Sequence, residues 1–210
     1  MKTIILNASP RKNQNTAKLL KSAQQGAESV GATTEYIDLY DVNFTGCRSC
    51  LACKLKGKER CHCYWKDDLS PIIDRIFDAD ALFIGSPIYL GDTTSQFHAL
   101  LERLHFCALS YDDYSNYFDG KVNVGIVFTM NAPEQMYKQY YAPKLADQIN
   151  AFASLNGTVE VLTACDTLQV KDYSRFNMAG FNAEHKIAYN AEQFPLDLEK
   201  AFKMGAYLSK

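Results

Sequence analysis

Apolar and polar positions along this chain fall into two alternating periodicities. Short β-branched or apolar runs recur at Lys2 to Leu6, Thr33 to Leu39, Ala81 to Gly85, Val122 to Thr129 and Thr158 to Thr163, and each reads as a strand. Between them lie stretches with helical spacing. Asn15 to Val30 carries Leu20, Ala23, Ala27 and Val30 on one face and stops at Gly31. A second helix follows Asp67 and Asp68, either of which can cap it, with Pro71 in its first turn and Leu69, Ile72, Ile73, Ile76 and Phe77 as its stripe. Thr94 to Phe106 points Phe97, Leu100, Leu101 and Leu104 inward, Glu134 to Leu155 reads as one long helix, and Leu196 to Leu208 closes the chain.

Strand-helix alternation over the full length implies an α/β domain, residues 1–210, with a doubly wound, mostly parallel sheet and helices on both faces. Ligands on such sheets sit at the carboxyl ends of the strands, where strand order reverses. Two segments interrupt the alternation: a cysteine-rich stretch from Tyr40 to Lys66, and a tyrosine- and aspartate-rich loop from Tyr111 to Gly120 that reads equally as a polar surface loop or as an interface or lid.

With 210 residues, 47% of them hydrophobic, the chain can bury a sizeable core. A net charge of −2 offers no basic excess for nucleic acid. No stretch approaches the roughly 18 uninterrupted apolar residues of a membrane helix, and the apolar run at the N-terminus is too short for a signal peptide. The expectation is a cytoplasmic protein without membrane or nucleic-acid partners.

The first strand runs into Asn7-Ala8-Ser9-Pro10-Arg11-Lys12-Asn13-Gln14-Asn15-Thr16 and then into a helix. Free N–H groups and the helix dipole favour an anion there. Ser9, Asn13, Asn15 and Thr16 add short polar groups, and Arg11 can pair with phosphate oxygens. Neither G-x-x-x-x-G-K-[ST] nor G-x-G-x-x-G is present, which disfavours a nucleoside triphosphate or a dinucleotide lying across the loop. A phosphate monoester suits the loop, and simple helix capping is the competing explanation. After the third strand, Gly85-Ser86-Pro87-Ile88-Tyr89 halts at Pro87 and leaves backbone donors and acceptors over Ile88 to Thr93, including Leu90 and Gly91. Tyr89 reads as a stacking ring or as a core tyrosine. Thr129 to Pro133 forms a third loop, with Asn131 as a further contact.

Cys47, Cys50, Cys53, Cys61 and Cys63 follow the pattern C-x2-C-x2-C-x7-C-x-C. Three sulfurs on such a loop can turn toward one point and a fourth can close the site. An iron–sulfur cluster, redox-active thiols, zinc and plain packing all fit the spacing, with Cys61 and Cys63 competing for the fourth position. Cys107 and Cys165 stand alone and read as core residues. His62, His98, His105 and His185 sit in no recognised catalytic pattern.

NASPRKNQNTAKLL, followed by GSPIY, resembles the FMN-phosphate loop and second flavin loop of the NAD(P)H-dependent FMN reductase and iron–sulfur flavoprotein superfamily. Gln14 stands where a small residue is usual, and the third loop lacks the glycines many relatives carry. The resemblance implies a flavodoxin-like fold with strand order 2-1-3-4-5 and a cysteine-rich insertion after strand 2. It implies FMN held by Ser9, Arg11, Asn13, Asn15, Thr16, Pro87, Ile88, Tyr89, Leu90, Gly91 and Asn131, and NAD(P)H as cosubstrate. It also implies a [4Fe–4S] centre close to FMN on four of the five clustered cysteines, and a homodimer or tetramer. Electrons would pass to a quinone, a flavin, an azo or nitro compound, or a protein. The flavin would be the reactive group, with no catalytic side chain required. Two alternatives are an electron carrier between FMN, the cluster and a ferredoxin-like partner, and a non-catalytic FMN-binding redox sensor.

Overall fold

The computed structural model describes all of residues 1–210. Five strands, β1 (Lys2–Asn7), β2 (Thr33–Asp38), β3 (Ala81–Pro87), β4 (Val122–Thr129) and β5 (Asn156–Ala164), form one sheet in the order β2-β1-β3-β4-β5. Every pairing is parallel. This is the flavodoxin-like order, and its reversal point lies between β1 and β3.

Strand alternation explains why the sheet needs helices on both faces. Ile4, Leu6, Leu82 and Ile84 enter one core with the stripes of α2 (Ser70–Phe77), α3 (Ser95–Ala108) and α5 (Ala142–Ala151). Ile5, Ala81 and Phe83 enter a second core with α1 (Asn15–Ser29) and α6 (Ala183–Leu208). The second core is thin. A Cβ on Gly205 would lie 1.9 Å from the carbonyl oxygen of Ala23, and one on Gly26 would lie 2.0 Å from that of Phe202. The backbones of α1 and α6 therefore touch.

Two helices differ from the sequence expectation. The stretch from Glu134 to Leu155 is helical throughout but not uniform. It begins as α4 (Glu134–Met136), widens to a π turn over Tyr137–Tyr141, continues as α5 and tightens over Phe152–Leu155. Pro143 lies just past the widened turn. It has no N–H for the carbonyl one turn back, which breaks the regular ladder at that point. The closing helix starts at Ala183 instead of Leu196 and carries Pro195 inside it.

The segment from Tyr40 to Lys66 is irregular apart from single turns at Leu39–Asp41 and Ala52–Lys54. A half-buried and a buried cation pin it to α3. Lys54 Nζ donates to the carbonyls of Phe106 and Leu109. Arg103, 2% exposed, pairs with Asp67 and donates to Thr45 O at 3.2 Å and Ser70 Oγ at 2.7 Å. Asp67 Oδ1 in turn accepts from the N–H groups of Leu69 and Ser70 at the start of α2, as its sequence position suggested. No helix is long and apolar enough to cross a membrane.

Candidate functional site

Parallel pairing continues beyond the strand ends and brings four loops together. Ala8 N donates to Gly85 O at 2.8 Å, Ile88 N to Thr129 O at 2.8 Å, Met130 N to Ala164 O at 2.9 Å and Thr167 N to Met130 O at 3.0 Å. These loops border a narrow cleft of about 40 Å³ at the carboxyl edge of the sheet. Ser9, Arg11, Asn15, Thr16, Pro87, Ile88, Tyr89 and Asn131 all line it. Leu90 and Gly91 line an adjoining pocket on one side, and Asn13 lines an open pocket on the other.

The first loop is shaped before any ligand arrives. Asn7 Oδ1 accepts from Ser9 N at 3.1 Å, Asn7 Nδ2 reaches Asp38 at 2.7 Å, and Ser9 Oγ accepts from Arg11 N at 3.2 Å. No side chain caps the N-terminus of α1. By contrast, Thr94 accepts from Phe97 N on α3, and Asn182 accepts from His185 N on α6. The capping explanation for the polar loop therefore fails, and the first N–H groups of α1 stay available to an anion. Gly85 lets α1 come this close to β3, since a Cβ there would lie 2.7 Å from Thr16 Cγ2. Thr16 Oγ1 meets Thr129 Oγ1 at 2.7 Å, buried at the cleft floor.

A fourth loop, Thr167 to Gln169, has no counterpart in the sequence reading. Asn15 Nδ2 donates to Leu168 O at 2.9 Å and Arg11 Nη1 to Gln169 O at 2.6 Å. Nothing local in the sequence marks these residues, because they enter only through strand order. Asn131 Oδ1 is buried with no partner, which suits a ligand donor. Asn13 is exposed, with only Lys21 Nζ nearby at 3.4 Å. Tyr89 is 45% exposed, which removes the core-tyrosine alternative.

Asp92 anchors the second loop. Its carboxylate accepts from Gln148 Nε2 at 2.8 Å and Thr93 N at 2.8 Å, and meets His98 Nε2 at 3.0 Å and Lys144 Nζ at 3.3 Å. His98, featureless in the sequence, thus has an acidic partner. Burial alone would raise the Asp92 carboxyl, but the bonds from Gln148 and His98 outweigh it and hold the group down at about 2. A depressed carboxyl contributes stability above its unfolded value and loses it as pH falls through its folded value. Asp92→Asn is therefore expected to lower Tm at pH 6, with the wild-type advantage vanishing between pH 4 and 2. The effect is about 1 kcal/mol after solvent screening, and thermal melts across that range check it.

Of the five clustered cysteines, Cys47, Cys50, Cys53 and Cys63 line one small pocket together with Arg103 and Cys107. Cys61 lies outside it, in an open pocket beside the His62–Asp74 pair, and burial pushes its thiol up to about 11. Cys107 is a correction. It is buried, as expected, but it does not stand alone, because it lines the same pocket as Cys53 and Cys63. Cys107 beside it and Arg103 Nη2 at 3.1 Å from Cys63 Sγ hold the Cys63 thiol below its usual range. Ser49, in a left-handed turn, directs its N–H at Cys47 Sγ at 3.5 Å. The donor set suits a thiolate-held group, although no three ligating side chains converge at metal-binding geometry. The thiols flank the second half of α3, through Arg103, Phe106 and Cys107.

The profile of the NADPH-dependent FMN reductase family matches residues 1–164. Iron-sulfur flavoprotein MJ1083 of Methanocaldococcus jannaschii is 33% identical over 125 residues, which is 60% of this chain and 62% of that protein. An iron-sulfur flavoprotein of Archaeoglobus fulgidus is 36% identical over 103 residues, 49% of this chain and 48% of the relative. The matched part therefore spans about half to three-fifths of these relatives. Among solved structures, an NAD(P)H:quinone oxidoreductase from Methanothermobacter marburgensis superposes with a TM-score of 0.71 at 18% identity, covering 100% of this chain and 98% of that one. An azoreductase from Bacillus anthracis gives 0.67 at 13% identity, covering 99% of each. At these identities the structural likeness speaks for the fold alone.

Proposed function

This chain belongs to the NADPH-dependent FMN reductase family, and from that premise we propose that it is an FMN-dependent oxidoreductase taking electrons from NAD(P)H. The observation that carries the proposal is the uncapped start of α1 beside a loop already shaped by Asn7 and Ser9. Ser9, Asn15, Thr16 and the free N–H groups of α1 receive a phosphate monoester, and Arg11 balances its charge. The backbone from Ile88 to Gly91 and the unpartnered Asn131 Oδ1 edge the ring. Bound FMN supplies the hydride chemistry. The protein's part is to position that cofactor and exclude water, so no acid–base dyad is needed. The acceptors in view are a quinone, a free flavin, an azo or nitro compound, or a protein. The same premise carries a homo-oligomer, which sedimentation would test.

One observation favours a second reading. Four thiols share a pocket with Arg103 and the Ser49 N–H to offset their charge, as a [4Fe–4S] group on Cys47, Cys50, Cys53 and Cys63 would need. An electron-carrying role follows from it.

Anaerobic purification with flavin, iron and sulfide analysis tests both readings. Two visible flavin bands that bleach on NADPH or NADH addition support the reductase. A broad added shoulder with stoichiometric iron supports the cluster, and a colourless protein that takes up no FMN overturns both. Arg11→Ala is expected to weaken FMN binding about tenfold or more, the worth of a charge-assisted hydrogen bond, as read by flavin fluorescence titration.

A further inference from the structure

Beside the cleft lies a second pocket of about 500 Å³, which shares Ile88, Met130 and Asn131 with it. That volume suits a small molecule. Pro133, Met136, Tyr141 and Phe181 give it apolar walls. Its polar equipment is concentrated in one linked group. Asp166, 8% exposed, sits in the left-handed region at φ 55°, a conformation uncommon outside glycine. Its N–H donates to Ala132 O at 2.8 Å. One carboxylate oxygen meets the buried Lys186 Nζ and the other meets His185 Nε2 at 2.7 Å. Lys186 Nζ also donates to Asn131 O at 2.6 Å, which ties the group to the cleft.

Burying a lysine and an aspartate side by side is costly unless geometry repays it. Here the pair fixes one nitrogen of a half-exposed imidazole, while the Tyr189 ring stacks on it at 5.8 Å. Lys186 and Asp166 cancel in charge, so a proton on His185 leaves the group positive and gives the free ring nitrogen a hydrogen to donate.

We propose that this pocket receives a flat aromatic electron acceptor bearing a carbonyl oxygen, that His185 donates a hydrogen bond to that oxygen, and that Asp166 and Lys186 position the ring. A pocket of this size, with apolar walls beside a polar group, fits a small quinone-like molecule better than a protein carrier. The proposal rests on the reading that FMN occupies the adjoining cleft.

The test uses FMN-loaded, oxidised protein without nicotinamide, titrated with 1,4-naphthoquinone and separately with naphthalene, with fluorescence quenching as the readout. His185→Phe is expected to weaken naphthoquinone about tenfold, the worth of one hydrogen bond. Naphthalene and FMN affinities should stay within about twofold, and His185→Gln should recover part of the loss. Asp166→Asn should weaken naphthoquinone in the wild-type background and add nothing to His185→Phe. A purely structural role would give a loss in both. The inference is overturned by undiminished naphthoquinone binding in His185→Phe, by an equal loss of naphthalene, or by a loaded wild type that binds neither. Failure of the wild type to load FMN would instead strike the cleft reading, and this proposal with it.

Discussion

Arg103→Met is expected to destabilise the protein by roughly 3–5 kcal/mol, the usual cost of breaking a buried pair and stranding one charge. Asp67 would be left facing the α2 N-terminus without its cation. Thr45 O and Ser70 Oγ would each lose a donor, and so would Cys63 Sγ. Arg103→Lys should rescue little, because an ammonium cannot spread its bonds as the planar fork does. The damage should be uneven. Arg103 joins α3 to the start of α2 and to both ends of the cysteine-rich segment, so proteolysis within residues 44–66 should rise more steeply than elsewhere. Urea melts and limited digestion check this, and a loss under about 1 kcal/mol would mean that the segment is held by other means.

Gly205→Val is expected to do comparable harm on the opposite face of the sheet. The first added carbon would fall 1.9 Å from the Ala23 carbonyl oxygen. That neighbour is backbone, so no side chain can rotate away and the helices must part. Overpacking of this kind costs about 1–3 kcal/mol, sometimes more, which is a fall of roughly 2–12 °C in Tm for a domain of this size. Because α1 begins at the phosphate loop, the shift should also weaken FMN binding. An unchanged FMN affinity in a destabilised variant would show that the loop keeps its shape independently of the helix behind it.

How much of this was legible in the sequence differs between fold and site. All five strands announce themselves as apolar or alternating runs, continuous in β1, β3 and β4, which are buried, and alternating in the partly exposed edge strands β2 and β5. The start of α6 does not, because residues from Ala183 to Phe194 bury little beyond Lys186 and Phe194, and Pro195 looks like a breaker. The first two loops of the cleft were readable as contiguous motifs. Thr167 to Gln169 and the His185–Asp166–Lys186 group were not, since their meaning lies in what the sheet brings beside them. Arg103 and Cys107 sit on an apolar helical stripe, and periodicity cannot distinguish a core position from one facing thiols. Even the choice between Cys61 and Cys63 depended on which way an irregular backbone turns at Cys61, a left-handed residue.

The long helix α6 has a division of labour along its length. Its last turns press on α1, within the part of the chain matched by the family profile, while its first turn supplies His185 and Lys186 from beyond residue 164, where that match ends. On the acceptor reading proposed above, scaffold and selectivity are carried by different turns of this one helix. On that reading a substitution in the first turn of α6 alters what is reduced while the packing of its last turns on α1 is kept.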